Sequence, residues 1–387
     1  MARHGKRARV CVLRTSPETV LEDYERLLEL AGLEQALDRA APTIIKLNLS
    51  WTKYFPACST QPWQLEGVLR YLFKQGFARE NLFPVENKTV VTDPLKGAAN
   101  NAWLPVLARY GLDFIPLPGV KWVPFRPQRK LLMLDKIFPE GFCIPELFLG
   151  KQVIHLPTMK THGHSVTTGA VKNSFGGLLQ EVRHYCHKHI HEVLADLMIL
   201  QQEIHTGIFG VMDGTVAGDG AGPRTMVPRV KNVILAGADS VALDAVAARL
   251  MGFRPLEIPY LRICHELGLG VADPQEIEVL GEDVAGVDFG FRVRRSLVIW
   301  GDQMIRKGPL RPLERLLLHT KLAAWAPLAS NIYHDWLWYP TVGRRRIREF
   351  LATGWGELFL KYKDFSSGEG ARKSSGSKMG KRKQSEE

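Results

Sequence analysis

Cysteine is sparse and widely spaced. Cys11, Cys58, Cys143, Cys186 and Cys264 make an odd count, and no two stand in a C-x-x-C pair. Neither a disulfide framework nor a metal site built from cysteine alone is expected. Scattered free thiols fit a reducing compartment, and the cytoplasm is the expected location. The basic start MARHGKRARVCVLRTSPE is followed by no apolar run of signal-peptide length. No stretch reaches the roughly 18 uninterrupted apolar residues of a spanning helix. Internal repeats are missing too. So are the G-x-x-x-x-G-K-[ST] spacing of a P-loop and the H-E-x-x-H of a zinc hydrolase, which removes two common routes to nucleotide and metal chemistry.

What remains is globular in composition: 387 residues, 45% hydrophobic and 24% charged. At roughly 150 residues per domain, that length suits two or three domains. The formal charge is +11, of which a net +4 lies in Lys361–Glu387, where eight Lys/Arg face four Asp/Glu. A basic balance suits small anions, nucleic acid or membrane surfaces alike.

The first half alternates β-branched runs with helical periods. Arg9–Leu13, Thr43–Leu47, Thr89–Thr92 and the stretch from Asp113 read as strands. Pro17–Ala31, Gln64–Gln75 and Ala98–Tyr110 read as helices. Such alternation argues for parallel βαβ units. Gly119–Leu149 is Pro-rich and reads as an insertion or a small hairpin. Gln152–Leu156 is a strand leading into a polar loop, and Glu181–His205 reads as one long helix. Ile208–Met212 is a strand opening into a glycine-rich loop, and Asp239 caps a helix that ends at Gly252. After Gly290 come five of the nine tryptophans, interleaved with arginine. The expected fold is α/β: an open, mostly parallel sheet flanked by helices, with a helical C-terminal appendage and a disordered tail. The expected regions are 1–150 (α/β), 151–290 (α/β, carrying the site), 291–360 (Trp/Arg-rich helices) and 361–387 (basic tail).

Eight of the twelve histidines fall between His155 and His205. Ligands of open parallel sheets bind beyond the carboxyl ends of strands. That places Lys160, Thr161, His162 and His164, which follow the strand Gln152–Leu156, where ligands sit. Lys160 would neutralise a carboxylate or phosphate, and the histidines would move protons near neutral pH. In T-T-G-A-V-K-N-S-F-G-G (Thr167–Gly177), glycines would let backbone N–H groups approach an anion, with Lys172 as counter-charge and Asn173 as orienter. On a helix, His184, His187 and His191 would share a face and could hold a divalent metal. In M-D-G-T-V-A-G-D-G-A-G-P-R (Met212–Arg224), Asp213 and Asp219 are candidate bases or orienters and Arg224 a clamp for an anion. Lys46 and Asn48 leave their strand toward the same rim.

These motifs together resemble the uncharacterised domain-of-unknown-function family three-six-two. The matching pieces are I-I-K-L-N-L-S (Ile44–Ser50), H-L-P-T-M-K-T-H (His155–His162), T-G-A-V-K-N-S-F-G-G (Thr168–Gly177), M-D-G-T (Met212–Thr215) and D-S-V-A-L-D-A-V-A (Asp239–Ala247). Some members of that family carry ferredoxin-like iron–sulfur modules. This chain has no cysteine spacing for one, so no such cluster is expected. At motif level the layout is also similar to nickel-pincer lactate racemases. That resemblance implies Lys172 as a cofactor lysine, with His162, His164 and His184 as bases.

The expectation is an enzyme, an isomerase or oxidoreductase, acting on a small anionic molecule by proton or hydride transfer. Its catalytic set would be His162, His164, Lys172, His184 and Asp213. Lys46, Asn48, Lys160, Thr161, Asn173, Asp219 and Arg224 would bind substrate, and a homo-oligomer is compatible with these features. The competing expectation is a non-catalytic basic protein that binds nucleic acid or an anionic surface through its tail and its Trp/Arg-rich region. In a third, Trp325, Trp336 and Trp338 would anchor the C-terminal helices to a membrane surface or to a partner, although such tryptophans more often pack a core or a dimer interface.

Overall fold

The computed structural model describes residues 7–89, 92–294, 300–301, 304 and 330–364, the side chains of 181–184 excepted. Its strands are β1 (Ala8–Arg14), β2 (Thr43–Lys46), β3 (Leu82–Glu86), β4 (Ile115–Pro116), β5 (Trp122–Phe125), β6 (Phe142–Pro145), β7 (Gln152–His155), β8 (Thr158–His162), β9 (Val166–Thr168), β10 (Ile208–Ala221), β11 (Thr225–Gly237) and β12 (Ile277–Gly281). The main sheet runs β12-β1-β11-β10-β7-β2-β3-β4, with β8 on β10 and β9 on β8. From β10 to β4 every neighbouring pair is parallel, whereas β11 runs against both β10 and β1. β5 and β6 form a separate antiparallel pair, the small hairpin expected in that stretch.

The described α-helices are α1 (Val20–Leu30), α2 (Leu33–Ala36), α3 (Pro62–Lys74), α4 (Pro94–Asn100), α5 (Trp103–Arg109), α6 (Leu134–Ile137), α7 (Ala170–Leu178), α8 (Ile190–Ile204), α9 (Ser240–Met251), α10 (Pro259–Glu266) and α11 (Arg344–Leu351). Strand residues alternate between two cores. Val10, Val12 and Ile44 pack with α7, α8, α9 and α10. Cys11, Leu13 and Ile45 pack with α1, α3 and α5 on the opposite face. The result is an α/β fold with a mostly parallel sheet between helical layers.

Several elements differ from expectation. The third strand is β3, not Thr89–Thr92; Thr89 and Thr92 only form an isolated bridge, and Val90 and Val91 lie outside the described residues. Pro84 sits inside β3 opposite Ile45, and a proline within a run argues against a central strand. Ala98–Tyr110 divides into α4 and α5, because Ala102 takes a left-handed φ of 57° at the break. The polar loop after β7 contains β8, β9 and the start of α7. Glu181–His205 is a 3-10 helix, Glu181–His189, followed by α8. Its first nine residues, EVRHYCHKH, are mostly polar, and the long apolar period begins at Ile190. The glycine-rich run Asp213–Ala221 is strand, not loop. A Cβ on Gly218 would stand 2.4 Å from Met226 Sδ, so glycine there reflects the close approach of β11 rather than a turn. Asp239 caps α9 as expected, accepting from Val241 and Ala242 N–H.

The C-terminal part lies on the body. A helix of wider, i to i+5 turns spans Ile332–Gly343, α11 follows it, and a further helix covers 354–364. That last helix carries past the expected start of the tail. Residues 365–387 and Trp325 lie outside the described residues.

Candidate functional site

The chain leaves β2 for β3 on one side and later returns as β7 on the other. Neighbouring strands whose connections run in opposite directions open a crevice at their carboxyl ends, the usual ligand position in an open sheet. A cavity of about 220 Å³ lies there. Its wall takes Lys46, Asn48 and Ser50 from the end of β2, Glu86 from β3, and Lys160 and His162 from β8. Lys172 and Asn173 come from α7, His187 from the 3-10 helix, and Arg224 from the β10–β11 turn. The sheet supports this wall in an unusual way. β10 is long enough for its first part to pair with β7 and its later part with β8, so Lys160 is held in sheet beyond the end of β7.

Asn173 ties the strand ends together. Its Nδ2 donates to the Lys46 carbonyl at 3.0 Å, and its Oδ1 accepts from Asn48 Nδ2 at 3.4 Å. Behind it, buried His155 meets Gln201 Oε1 at 2.6 Å through Nε2, which leaves Nδ1 facing Asn173 Nδ2 at 3.5 Å. Burial pushes the His155 pKa down to about 3, so this ring is a neutral brace. Lys46 Nζ and Glu86 Oε1 form a buried ion pair at 2.8 Å, and Oε1 also accepts from Asn87 N–H. Among the described residues Glu86 Oε2 has no hydrogen-bond partner.

Lys160 is 1% exposed. Its ammonium donates to Asn48 Oδ1 (2.6 Å), Ser50 Oγ (3.0 Å) and the Cys58 carbonyl (2.5 Å), all neutral oxygens. Burial pulls its pKa down to about 8. Arg224 Nη2 donates to Ser330 Oγ at 3.1 Å, while Nη1 is buried without an acceptor among the described residues. Burial lowers the pKa of this guanidinium too.

His162 is buried, and its Nδ1 accepts from the backbone N–H groups of His164 (3.2 Å) and Ser165 (3.3 Å). Burial, then the neighbouring Lys172, holds its pKa well below the usual value. The neutral ring therefore carries its proton on Nε2. His164 lies 5.9 Å from the His162 ring and 5.0 Å from that of His187, and Lys172 stands over the Phe175 ring.

Other expected site residues lie elsewhere. Asp213 is fully buried away from the cavity wall, with Tyr24 OH (2.8 Å) and Trp63 Nε1 (3.0 Å) on Oδ2 and the Thr215 N–H and hydroxyl on Oδ1. Burial raises its pKa to about 6. Asp219 accepts from Arg292 N–H and Arg229, and Thr161 donates to the Gly218 and Gly220 carbonyls. His191 stacks on Tyr260, and the His184 side chain lies outside the described residues. Among the described residues no three His, Cys, Asp or Glu side chains group as metal ligands. Glu86 and Ser50 were not expected. Glu86 ends the strand that Pro84 disguises, and Ser50 closes the K-L-N-L-S run.

The model of a family described as a domain of unknown function, DUF362, matches residues 43–249. The thylakoid-associated protein sll1697 of Synechocystis sp. is 26% identical over 298 residues, 72% of this chain and 88% of that protein. A solved structure of a Thermotoga maritima protein is similar over 56% of this chain, with a TM-score of 0.35 and 10% identity. This chain spans 54% of the length of that structure.

Proposed function

The chain belongs to the DUF362 family of domains of unknown function, and from that premise we propose that it is an enzyme moving a proton on a small organic anion. One observation carries the reading: buried positive charge, at Lys160 and Arg224, to which no carboxylate among the described residues is hydrogen-bonded. Four basic side chains line the cavity against one carboxylate, and that one, Glu86, is already paired with Lys46. Among the described residues, the side-chain hydrogen bonds of Lys160 and Arg224 go to neutral oxygens. Charges taken out of water are costly unless paired, and a bound carboxylate or phosphate would supply the missing partner. Arg224 would clamp it and Lys172 would add a second charge.

The groups beside that position suit proton transfer. Lys160, with a pKa near 8, changes charge close to neutrality. His162 offers a neutral N–H that would polarise a carbonyl. An isomerisation, in which one proton leaves carbon and one returns, is the reaction class that follows. Free thiols suit the cytoplasm as the place for it.

The test is calorimetric titration with a panel of small carboxylates and phosphate esters, followed by incubation of any binder in D₂O. Arg224→Gln is expected to weaken binding by about tenfold or more, the worth of a charged hydrogen bond. Lys172→Ala should weaken it as well, and His162→Ala should slow deuterium entry at carbon while binding persists. A ligand held equally well by wild type, Arg224→Gln and Lys172→Ala would remove the assignment. The competing nucleic-acid reading predicts instead salt-sensitive binding to oligonucleotides that disappears when Lys361–Glu387 is deleted.

A further inference from the structure

The helix Ile332–Gly343 has two unlike faces. Its inner face is built into the body. Asp335 Oδ1 accepts from Trp51 Nε1 at 2.7 Å and lies 3.6 Å from Lys53 Nζ. Trp338 packs on Trp51 and Phe55 with ring centroids 6.0 and 5.3 Å apart, and Tyr339 donates to the Tyr54 carbonyl at 3.0 Å. The outer face is apolar and uncovered: Trp336 is 76% exposed, Leu337 59% and Ile332 43%. Exposed positions recur at 332, 336–337, 340–341, 344–345 and 348–349. That recurrence every four to five residues makes one continuous stripe along two consecutive helices. Its first half is Ile332, Trp336 and Leu337; its second half holds Arg344, Arg345 and Arg348. The one acid in the second half, Glu349, is 3.7 Å from Arg345 in an exposed pair. Arg346, between them, turns inward over the Trp338 ring and onto the Met226 carbonyl.

We infer that this stripe, Ile332 to Arg348, docks the protein on an anionic lipid surface. A tryptophan three-quarters exposed on a helix otherwise pinned by hydrogen bonds gains nothing from folding. It gains from entering the interfacial layer, where indole rings are favoured. Arginines next to the apolar residues match the negative headgroups at the edge of that layer. Charge complementarity favours a lipid surface: the three arginines meet headgroup anions there, whereas a second copy of this stripe brings no acidic partner for them beyond Glu349, already paired with Arg345. The basic residues after Lys361 add attraction of the same sign. The inference is independent of the cavity and refines the expectation for the tryptophans: Trp336 faces out, Trp338 faces in.

The test is co-sedimentation of the full chain with vesicles of phosphatidylcholine alone and of phosphatidylcholine mixed with phosphatidylglycerol. Binding is expected to the mixed vesicles and to weaken with salt. Each arginine near the surface contributes roughly fivefold, so Arg344→Gln/Arg345→Gln/Arg348→Gln should lose on the order of a hundredfold. Trp336→Ser/Leu337→Ser should lose more than tenfold. Thermal melts matching wild type would show both variants folded. If the mixed vesicles fail to bind, or bind both folded variants as well as wild type, the inference falls. Self-association that Trp336→Ser/Leu337→Ser abolishes, without vesicle binding, would overturn it in favour of a dimer.

Discussion

Lys160 holds its ammonium at 1% exposure among neutral oxygens, and burial brings its pKa from 10.5 down to about 8. Between those values the folded chain binds fewer protons than the unfolded one, so stability rises with pH across that window. Below about pH 8 the full penalty of the buried charge is present. Lys160→Met removes the titrating group. Thermal melts from pH 7.5 to 10 are expected to show an upward contribution in wild type that the variant lacks; equal slopes would mean the ammonium is solvated. At this scale the sequence was informative where chemistry follows a strand directly. Lys46, Asn48, Lys160, His162, Lys172, Asn173 and Arg224 all reach the cavity wall. Asp213 was legible only as a polar residue on the rim. Its partners Tyr24 and Trp63 lie 189 and 150 residues away in the chain, and no local pattern announces them.

Helix α7 shows how an element can look available and be occupied. Its glycine-rich approach suggested a helix N-terminus open to an anion. That terminus is instead filled by Asp244 of α9, which accepts from Ala170 N–H at 2.6 Å and Val171 N–H at 3.2 Å. The carboxylate meets the positive end of the helix, and the α7 polar side chains on the cavity wall are Lys172 and Asn173, further along it. Gly169 makes room for this arrangement, since a Cβ there would stand 1.9 Å from Asp244 Oδ1. Gly169→Ala is expected to cost about 1–3 kcal/mol, as forced overpacking does. Gly119→Ala, where an added Cβ would meet nothing within 4 Å, should stay within about 0.5 kcal/mol of wild type. Urea midpoints of the two variants decide it, and equal midpoints would mean that Asp244 is free to move aside. The strand–helix alternation was readable because β-branched runs and helical periods differ locally. β3 and the length of β10 were not, because proline and glycine there answer to neighbouring strands.

Across the whole molecule, the helical C-terminal segment packs onto the body. Trp355 is 2% exposed, lies 5.1 Å from the Trp63 ring and donates to Asn232 Oδ1 at 2.8 Å. Phe359 stacks on Tyr54, and the Tyr362 hydroxyl donates to Glu66. Trp355→Ala should therefore cost about 3–5 kcal/mol, read as a lower urea midpoint of one cooperative transition. A separate early transition with the main one unmoved would mean that this segment folds apart. Composition marked the region as a helical appendage, but which tryptophan turned in and which turned out was set by distant partners. The two partners of β1 are also distant. It is made well before the strands it pairs with among the described residues, β11 at Val233–Ala236 and β12 at Ile277–Gly281. At about 5–20 residues per second, a ribosome needs roughly ten to forty seconds to reach the nearer of them. For that interval β1 waits unpaired by its eventual neighbours, and this side of the sheet closes only once β11 and then β12 have followed it.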